Sequence, residues 1–173
     1  MANQSSQTIT DLDATPVVKV NALEIGGAKR IATALLAMTT GAASDIKRFV
    51  RIPSRALVLS VAFVNDDLDS NGAPTLAADV GLYRTTGDGG AVVDADFFAS
   101  AVTTLQGATV VFTDVTYESV VVPIANRAKP LWEQLGLSAD PGVQYDVAFT
   151  YTAGAATHAN GNVVMRVEYV LPE

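Results

Sequence analysis

Apolar and polar residues alternate along several stretches of this chain, which is the pattern of a β-strand that buries one face. Successive side chains of a strand point to opposite faces of its sheet. The clearest run is 143–152, whose apolar face consists of Val143, Tyr145, Val147, Phe149 and Tyr151. Residues 163–170 repeat the pattern with Val163, Met165, Val167 and Tyr169. A third apolar face is expected from Leu57, Leu59, Val61 and Phe63.

Shorter runs add further elements. Strands are also expected at residues 46–52, 79–84 and 117–122. Residues 31–38 could form either a strand or a short helix, because they consist mainly of alanine and leucine. One short helix is expected from Asp94, a suitable N-cap that would place Phe98 beside Val102. A second is expected from Pro130, and Gly136 would end it.

Many short strands separated by Gly, Pro, Asn and Asp turns predict an all-β fold. The expected architecture is an antiparallel β-sandwich, jelly-roll-like, with one or two short helices. A length of 173 residues is that of one domain, which we place at 29–173. Residues 1–28 form an extended N-terminal arm, which either frays or lies on a neighbouring subunit through Val17, Val18 and Val20.

Composition excludes several functions. The chain has no cysteine and a single histidine, so thiolate sites and sites with several imidazole ligands are impossible. A net charge of −7 disfavours nucleic acid as a partner. No apolar run is long enough to span a membrane, and the first residues lack the pattern of a signal peptide.

One loop resembles the start of a calcium-binding loop. Asp67, Asp69 and Asn71 stand at the spacing of its first three ligands. Position twelve is Ala78, where such a loop needs glutamate, so a polar turn is the favoured interpretation and the three residues are only a weak calcium candidate. His158 is expected in an exposed loop. Because no catalytic set surrounds it, we expect no enzyme activity and no cofactor.

Basic residues and large aromatics are the candidates for interfaces. Six of the eleven basic residues lie between positions 29 and 55, among them Lys47, Arg48 and Arg51. They either discourage an edge strand from pairing with another chain or form the positive part of an interaction surface that also carries negative charge. Trp132 either packs a short helix against the sheet or is an interface anchor, a role that tryptophan often has. Phe97 is a second candidate anchor, because Phe97 and Phe98 on one helix could not both face the same core.

Four segments make the chain resemble a family of small virion proteins from tailed bacteriophages. They are DVGLY at 79–83, GAVVDADFFAS at 90–100, KPLWEQLGL at 129–137 and YDV at 145–147. The resemblance covers roughly residues 20–170. It implies a capsid decoration or cement protein on the virion surface, assembled in the host cytoplasm. It implies no catalytic or ligand-binding residues.

The expected mechanism is stabilisation of a shell by bridging neighbouring capsid subunits. The major capsid protein is the expected partner, and a homo-oligomer, first of all a trimer, suits the local threefold positions of a shell. Two alternatives stay open, since sandwiches host many functions. One is a tail or head-fibre virion protein, and the other is a carbohydrate-binding β-sandwich module.

Overall fold

Two four-stranded antiparallel sheets pack face to face, as expected for a β-sandwich. The computed structural model describes residues 27–171, together with 6, 9–10, 13–16 and 18. Sheet A consists of β1 (Lys29–Met38), β3 (Leu57–Asn65), β6 (Thr113–Asp114) and β8 (Gly161–Val170). Sheet B consists of β2 (Ile46–Pro53), β4 (Ala77–Arg84), β5 (Val92–Val102) and β7 (Gln144–Ala153).

The strand order is that of a jelly roll. Sheet A runs β1-β8-β3-β6 and sheet B runs β2-β7-β4-β5. The first strand therefore pairs with the last, the second with the seventh, the third with the sixth and the fourth with the fifth. This is the path of one long hairpin rolled into two sheets. It confirms the predicted all-β sandwich, and residues 31–38 belong to a strand.

Aromatic side chains from both sheets meet in the core. Phe149 of β7 lies 4.9 Å from Phe49 of β2 and 5.0 Å from Phe63 of β3, ring centre to ring centre, in edge-to-face geometry. The predicted apolar faces of β7 and β8 point into this core. Phe149 therefore couples sheet A to sheet B.

The predicted helix at Asp94 is wrong, because Asp94 lies inside strand β5. Between the pairs Val80–Ala99 and Leu82–Asp94, β4 has one residue while β5 has four, so β5 bulges away from regular pairing. The bulge breaks the alternation and buries both Phe97 and Phe98. Phe97 is 1% exposed, so it is a core residue and the interface role predicted for it is wrong.

Two further expectations differ from the structure. Leu59 was expected in the core but is exposed, because a register shift between Val58 and Ser60 turns it outward. Residues 117–122 form turns and not a strand. Here the backbone of Tyr117 and Val120 adopts positive φ angles, which a strand does not allow.

The segment between β5 and β7 closes one side of the sandwich. The amide of Val115 donates to the Val61 carbonyl of sheet A, and the amide of Ser119 donates to the Phe98 carbonyl of sheet B. A one-turn helix, α1 (Leu131–Gln134), follows, and Gly136 just beyond its C-cap Leu135 has a φ of 74°. This confirms the second predicted helix. No helix among the described residues is long and apolar enough to cross a membrane.

Gly81 is the position where the bulge of β5 leaves no room for a side chain. A Cβ at Gly81 would lie 2.2 Å from the carbonyl oxygen of Asp94 and 2.3 Å from that of Ala95. Both contacts are to backbone, which cannot move aside without disrupting the pairing of β4 with β5. We expect Gly81→Ala to reduce the free energy of unfolding by about 3 kcal/mol in urea titrations.

Gly72→Ala is the matched control, because nothing lies within 4 Å of the added Cβ. We expect it to change the free energy of unfolding by less than about 0.5 kcal/mol. Equal stability of the two variants would contradict the close approach of β5 to β4.

Candidate interaction surface

The basic residues of β2 are largely occupied by partners within the chain. The Arg51 Nε lies 2.7 Å from Asp146 Oδ1, and Arg48 Nη1 lies 3.2 Å from Asp146 Oδ2. Asp146 is buried and lines a surface pocket together with these two arginines. The hydrogen bond to Asp146 raises the pKa of the Arg51 guanidinium.

Arg48 and Lys47 hold local structure. Arg48 donates to the carbonyl oxygens of Arg84 (2.8 Å) and Gly90 (2.7 Å), which fixes the turn between β4 and β5. Lys47 pairs with Asp45 at 3.2 Å. β2 is an edge strand, so its paired charges favour the interpretation that the basic stretch discourages pairing of this edge with another chain.

Asp69, one of the three weak calcium candidates, ties together two loops. Its carboxylate accepts hydrogen bonds from four amides, those of Thr75 (2.7 Å), Leu76 (3.1 Å), Ala156 (3.0 Å) and Thr157 (2.9 Å). Burial opposes ionisation, but these donors outweigh it and hold the pKa of Asp69 well below its ordinary value. The Asp69 carboxylate therefore serves as the acceptor that joins the two loops.

The other two calcium candidates form local turns. Asp67 accepts from the amide of Asp69 at 3.0 Å, and Asn71 accepts from the amide of Ala73 at 2.9 Å. Both bonds are Asx-turns, which is the alternative that the sequence favoured. Among the described residues, no three His, Asp or Glu side chains group as metal ligands would.

His158 is packed against a neighbouring loop, whereas the sequence predicts an exposed position. Its backbone forms an isolated bridge with Asp69, and its ring lies against Gly41, where an added Cβ would be 2.6 Å from Nδ1. Both ring nitrogens are buried without a hydrogen-bond partner in the described structure. The imidazole therefore fills space between two loops.

An apolar tip stands out from the surface between β6 and α1. We call Val120, Val121 and Ile124 the valine tip. Val120 is 73% exposed and Ile124 is 82% exposed, although the neighbouring Val122 is buried. Exposed apolar groups that lie together on a surface typically mark interaction sites. The sequence contained a signal for this tip in its run of three valines, which interrupts the alternation.

The segment that carries the valine tip is held in a defined shape. Arg127 donates to the carbonyl oxygens of Val122 (3.1 Å) and Tyr117 (3.4 Å), and its guanidinium lies 5.1 Å from the centre of the Tyr117 ring. The Tyr117 hydroxyl donates to Gln134 of α1 at 3.0 Å. Val120 has a φ of 61°, a strained conformation for a β-branched residue. The tip is thus fixed before any partner binds.

A second exposed apolar loop precedes β6. Val110 is 95% exposed, and Val111 and Phe112 are also exposed. The ring of Phe112 lies 4.5 Å from the guanidinium carbon of Arg166 on β8. This contact holds Phe112 on the outer face of sheet A, while Val110 extends into solvent.

The remaining predicted interface residues differ in position. Trp132 lies on α1, is half-buried, and its amide donates to the Ser54 carbonyl at 3.0 Å. Val18 is exposed, whereas Val17 and Val20 lie outside the described residues. Among the described candidates, Phe97 thus lies in the core, the three basic residues lie on β2, and Trp132 lies on α1 next to the end of β2.

Comparisons with known proteins point to phage capsids. No family model and no curated protein matches the chain. A chain of the cyanophage Pam1 capsid asymmetric unit superposes with a TM-score of 0.59 and 27% identity, covering 86% of this chain and 88% of that chain. A chain of the capsid of Ralstonia phage GP4 has a TM-score of 0.59 and 22% identity, covering 82% and 84%. At this identity, the similarity to the Ralstonia phage chain shows only that the two chains share a fold. The nearly equal coverage in each case means that the matched chains are similar to this one in length.

The four hydrogen bonds that the Asp69 carboxylate accepts predict a free energy of unfolding that depends on pH. We expect Asp69→Asn to lower the melting temperature at pH 7 by about 5 °C or more, because an amide cannot accept from all four donors. The folded-state pKa is below the unfolded value, so the stabilisation is complete above that unfolded value and declines as the pH falls toward the folded pKa. The difference between wild type and variant should therefore shrink between pH 5 and pH 2.

Asp67→Asn serves as the control, because Asp67 is exposed and accepts only the Asp69 amide. Differential scanning calorimetry across that pH range measures both variants. A calcium-dependent rise in the melting temperature of the wild type would instead support the cation site.

Proposed function

We propose that this protein is a structural component of a phage virion that binds the outside of the capsid and stabilises it. The observation that carries the proposal is the likeness to a chain of the Pam1 capsid asymmetric unit, which extends over most of both chains. Because the two chains are similar in length, the likeness is not confined to one domain of a larger protein. Capsid surface and virion are accordingly the proposed location.

The proposed mechanism is that of a decoration or cement protein, with the major capsid protein as its partner. A protein that binds only the assembled lattice stabilises that lattice by mass action. Repeated contacts around a symmetric shell multiply a modest interface. Such a role requires no catalytic residue and no cofactor.

The valine tip is the proposed contact with the capsid. Its apolar side chains are exposed, and the bonds of Arg127 and Tyr117 fix the segment before binding. A rigid element loses little conformational entropy when it docks. Val120 and Ile124 would supply most of the apolar area that leaves water.

Residues 1–28 and the oligomeric state complete the proposal. The arm would extend the contacts of the body through Val17, Val18 and Val20 and would become ordered on docking. A trimer at local threefold positions of the shell remains the proposed oligomer. Light scattering of the purified protein, alone and after release from capsids, measures the oligomeric state in each setting.

Capsid binding tests the role of the tip. Shells are prepared from phage that lack this protein, and purified wild-type or variant protein is added and co-sedimented with them. We expect Val120→Asp combined with Ile124→Asp to weaken binding by about 100-fold or more, since burial of each side chain contributes about 1.5–3 kcal/mol and two are lost. Thermal melts of the variants show whether they are folded.

Val92→Asp is the matched control, because Val92 is another exposed apolar residue, at the start of β5. Normal binding by this control together with weak binding by the tip variant is the expected result. Failure of the wild-type protein to bind shells at all would contradict the capsid role and favour a position in the tail or fibres. If the tip variant binds shells with wild-type affinity, the valine tip is not the capsid contact, and the proposed capsid role is unaffected.

A further inference from the structure

The four edge strands of the sandwich differ in how well they are protected. Two-residue β6 ends sheet A on one side, and in sheet B the edge strand β2 has a register shift and paired charges. The other edge of sheet B, β5, has three register shifts. Short strands, bulges and charges all discourage pairing with another chain. The fourth edge, β1, has ten residues and no register shift, and its charges are confined to its first two residues.

β1 is long, regular and apolar. Its ten residues pair with β8 in an unbroken register, and no charge, proline or glycine occurs from Ile31 to Met38. On the outer face Ile31 is 57% exposed and Leu35 is 66% exposed. On the inner face Ala32 and Ala34 are only partly buried against the core. The core is therefore incompletely covered along this edge.

We propose that β1 pairs antiparallel with β1 of a second copy, about a twofold axis at Thr33. In this register Ile31 stands opposite Leu35 of the partner subunit, and Ala32 stands opposite Ala34 of the partner subunit. Twofold symmetry repeats each pair. Directly opposed apolar side chains are the unit that stabilises antiparallel sheets. The pairing joins the two copies of sheet A into one continuous sheet.

The charge pattern of β1 favours this arrangement. The only charged residues of the strand, Lys29 and Arg30, both lie at its N-terminal end. In the antiparallel register Lys29 stands opposite Ala37 of the partner subunit, and Arg30 stands opposite Leu36 of the partner subunit. The basic ends therefore lie at opposite ends of the pair. A parallel pairing in register would place the same basic residues side by side, which is unfavourable.

The proposed contact between two β1 strands buries a small area, so its affinity is expected to be low. A pair of nine-residue edges buries less than the roughly 1,600 Å² of a typical stable interface. We therefore expect weak association in dilute solution, which becomes effective where copies are concentrated. A twofold contact of this kind can also link neighbouring trimers. The inference rests on the β1 edge alone and does not depend on the proposed capsid role.

Disulfide trapping tests the pairing directly, because the chain has no cysteine of its own. The twofold axis places Thr33 opposite Thr33 of the partner subunit, with Cα atoms about 4.5–5.5 Å apart, which is within the range of a disulfide. We expect Thr33→Cys to form a covalent dimer under mild oxidation about tenfold faster than a control cysteine. Thr152→Cys is that control, since Thr152 is exposed on β7, which has neighbours on both sides. Equal rates for the two variants would overturn the proposal.

A charge exchange tests the register independently. We expect Ile31→Lys combined with Leu35→Lys to place lysine opposite lysine and to abolish trapping through Cys at position 33. Ile31→Lys combined with Leu35→Glu places lysine opposite glutamate, so trapping should persist and weaken with added salt. Both side chains point to solvent in the monomer, and thermal melts verify folding.

The same variants separate a second copy from another occupant of the edge. If Thr33→Cys does not trap a dimer but the double-lysine variant loses binding to shells, a strand of the capsid occupies β1 and the proposed pairing is wrong. If the double-lysine and lysine–glutamate variants trap equally well, the register about Thr33 is wrong.

Discussion

The packing of Phe149 against Phe49 and Phe63 holds the two sheets together. These rings come from β7, β2 and β3, so one cluster links sheet A to sheet B. The surrounding core contains residues from strands of both sheets and from the segments between them. Because the chain has no disulfide, the burial of these apolar side chains is the main favourable contribution to folding.

The sequence predicted those parts of the fold in which alternation is regular. Strands β7 and β8 lie at the centre of their sheets, and each buries the face that the pattern indicated. The pattern failed at Asp94 and Leu59, where register shifts turn side chains to the other face. A bulge depends on the partner strand, here on the absence of a side chain at Gly81, and therefore leaves little trace in the local sequence.

The candidate surface was less predictable for the same reason. Arg48 and Arg51 were recognised as basic residues, but their shared partner Asp146 is more than 90 residues away in the chain. Only the fold shows that they form internal ion pairs. The spacing around Asp69 similarly resembled that of a cation ligand, because the sequence does not show that the amide of Ala156, far along the chain, donates to its carboxylate. The valine tip became visible because Val122 is buried while its neighbours are exposed.

Polar side chains in this molecule thus mostly fix loops, whereas the surfaces suited to partners are apolar. The central claim is that the protein coats a phage shell, and its copy number in purified virions tests this claim most directly. Quantitative mass spectrometry gives the ratio of this protein to the major capsid protein. We expect a fixed ratio set by the shell lattice, which means many copies per particle. A few copies per virion, or none, would contradict it.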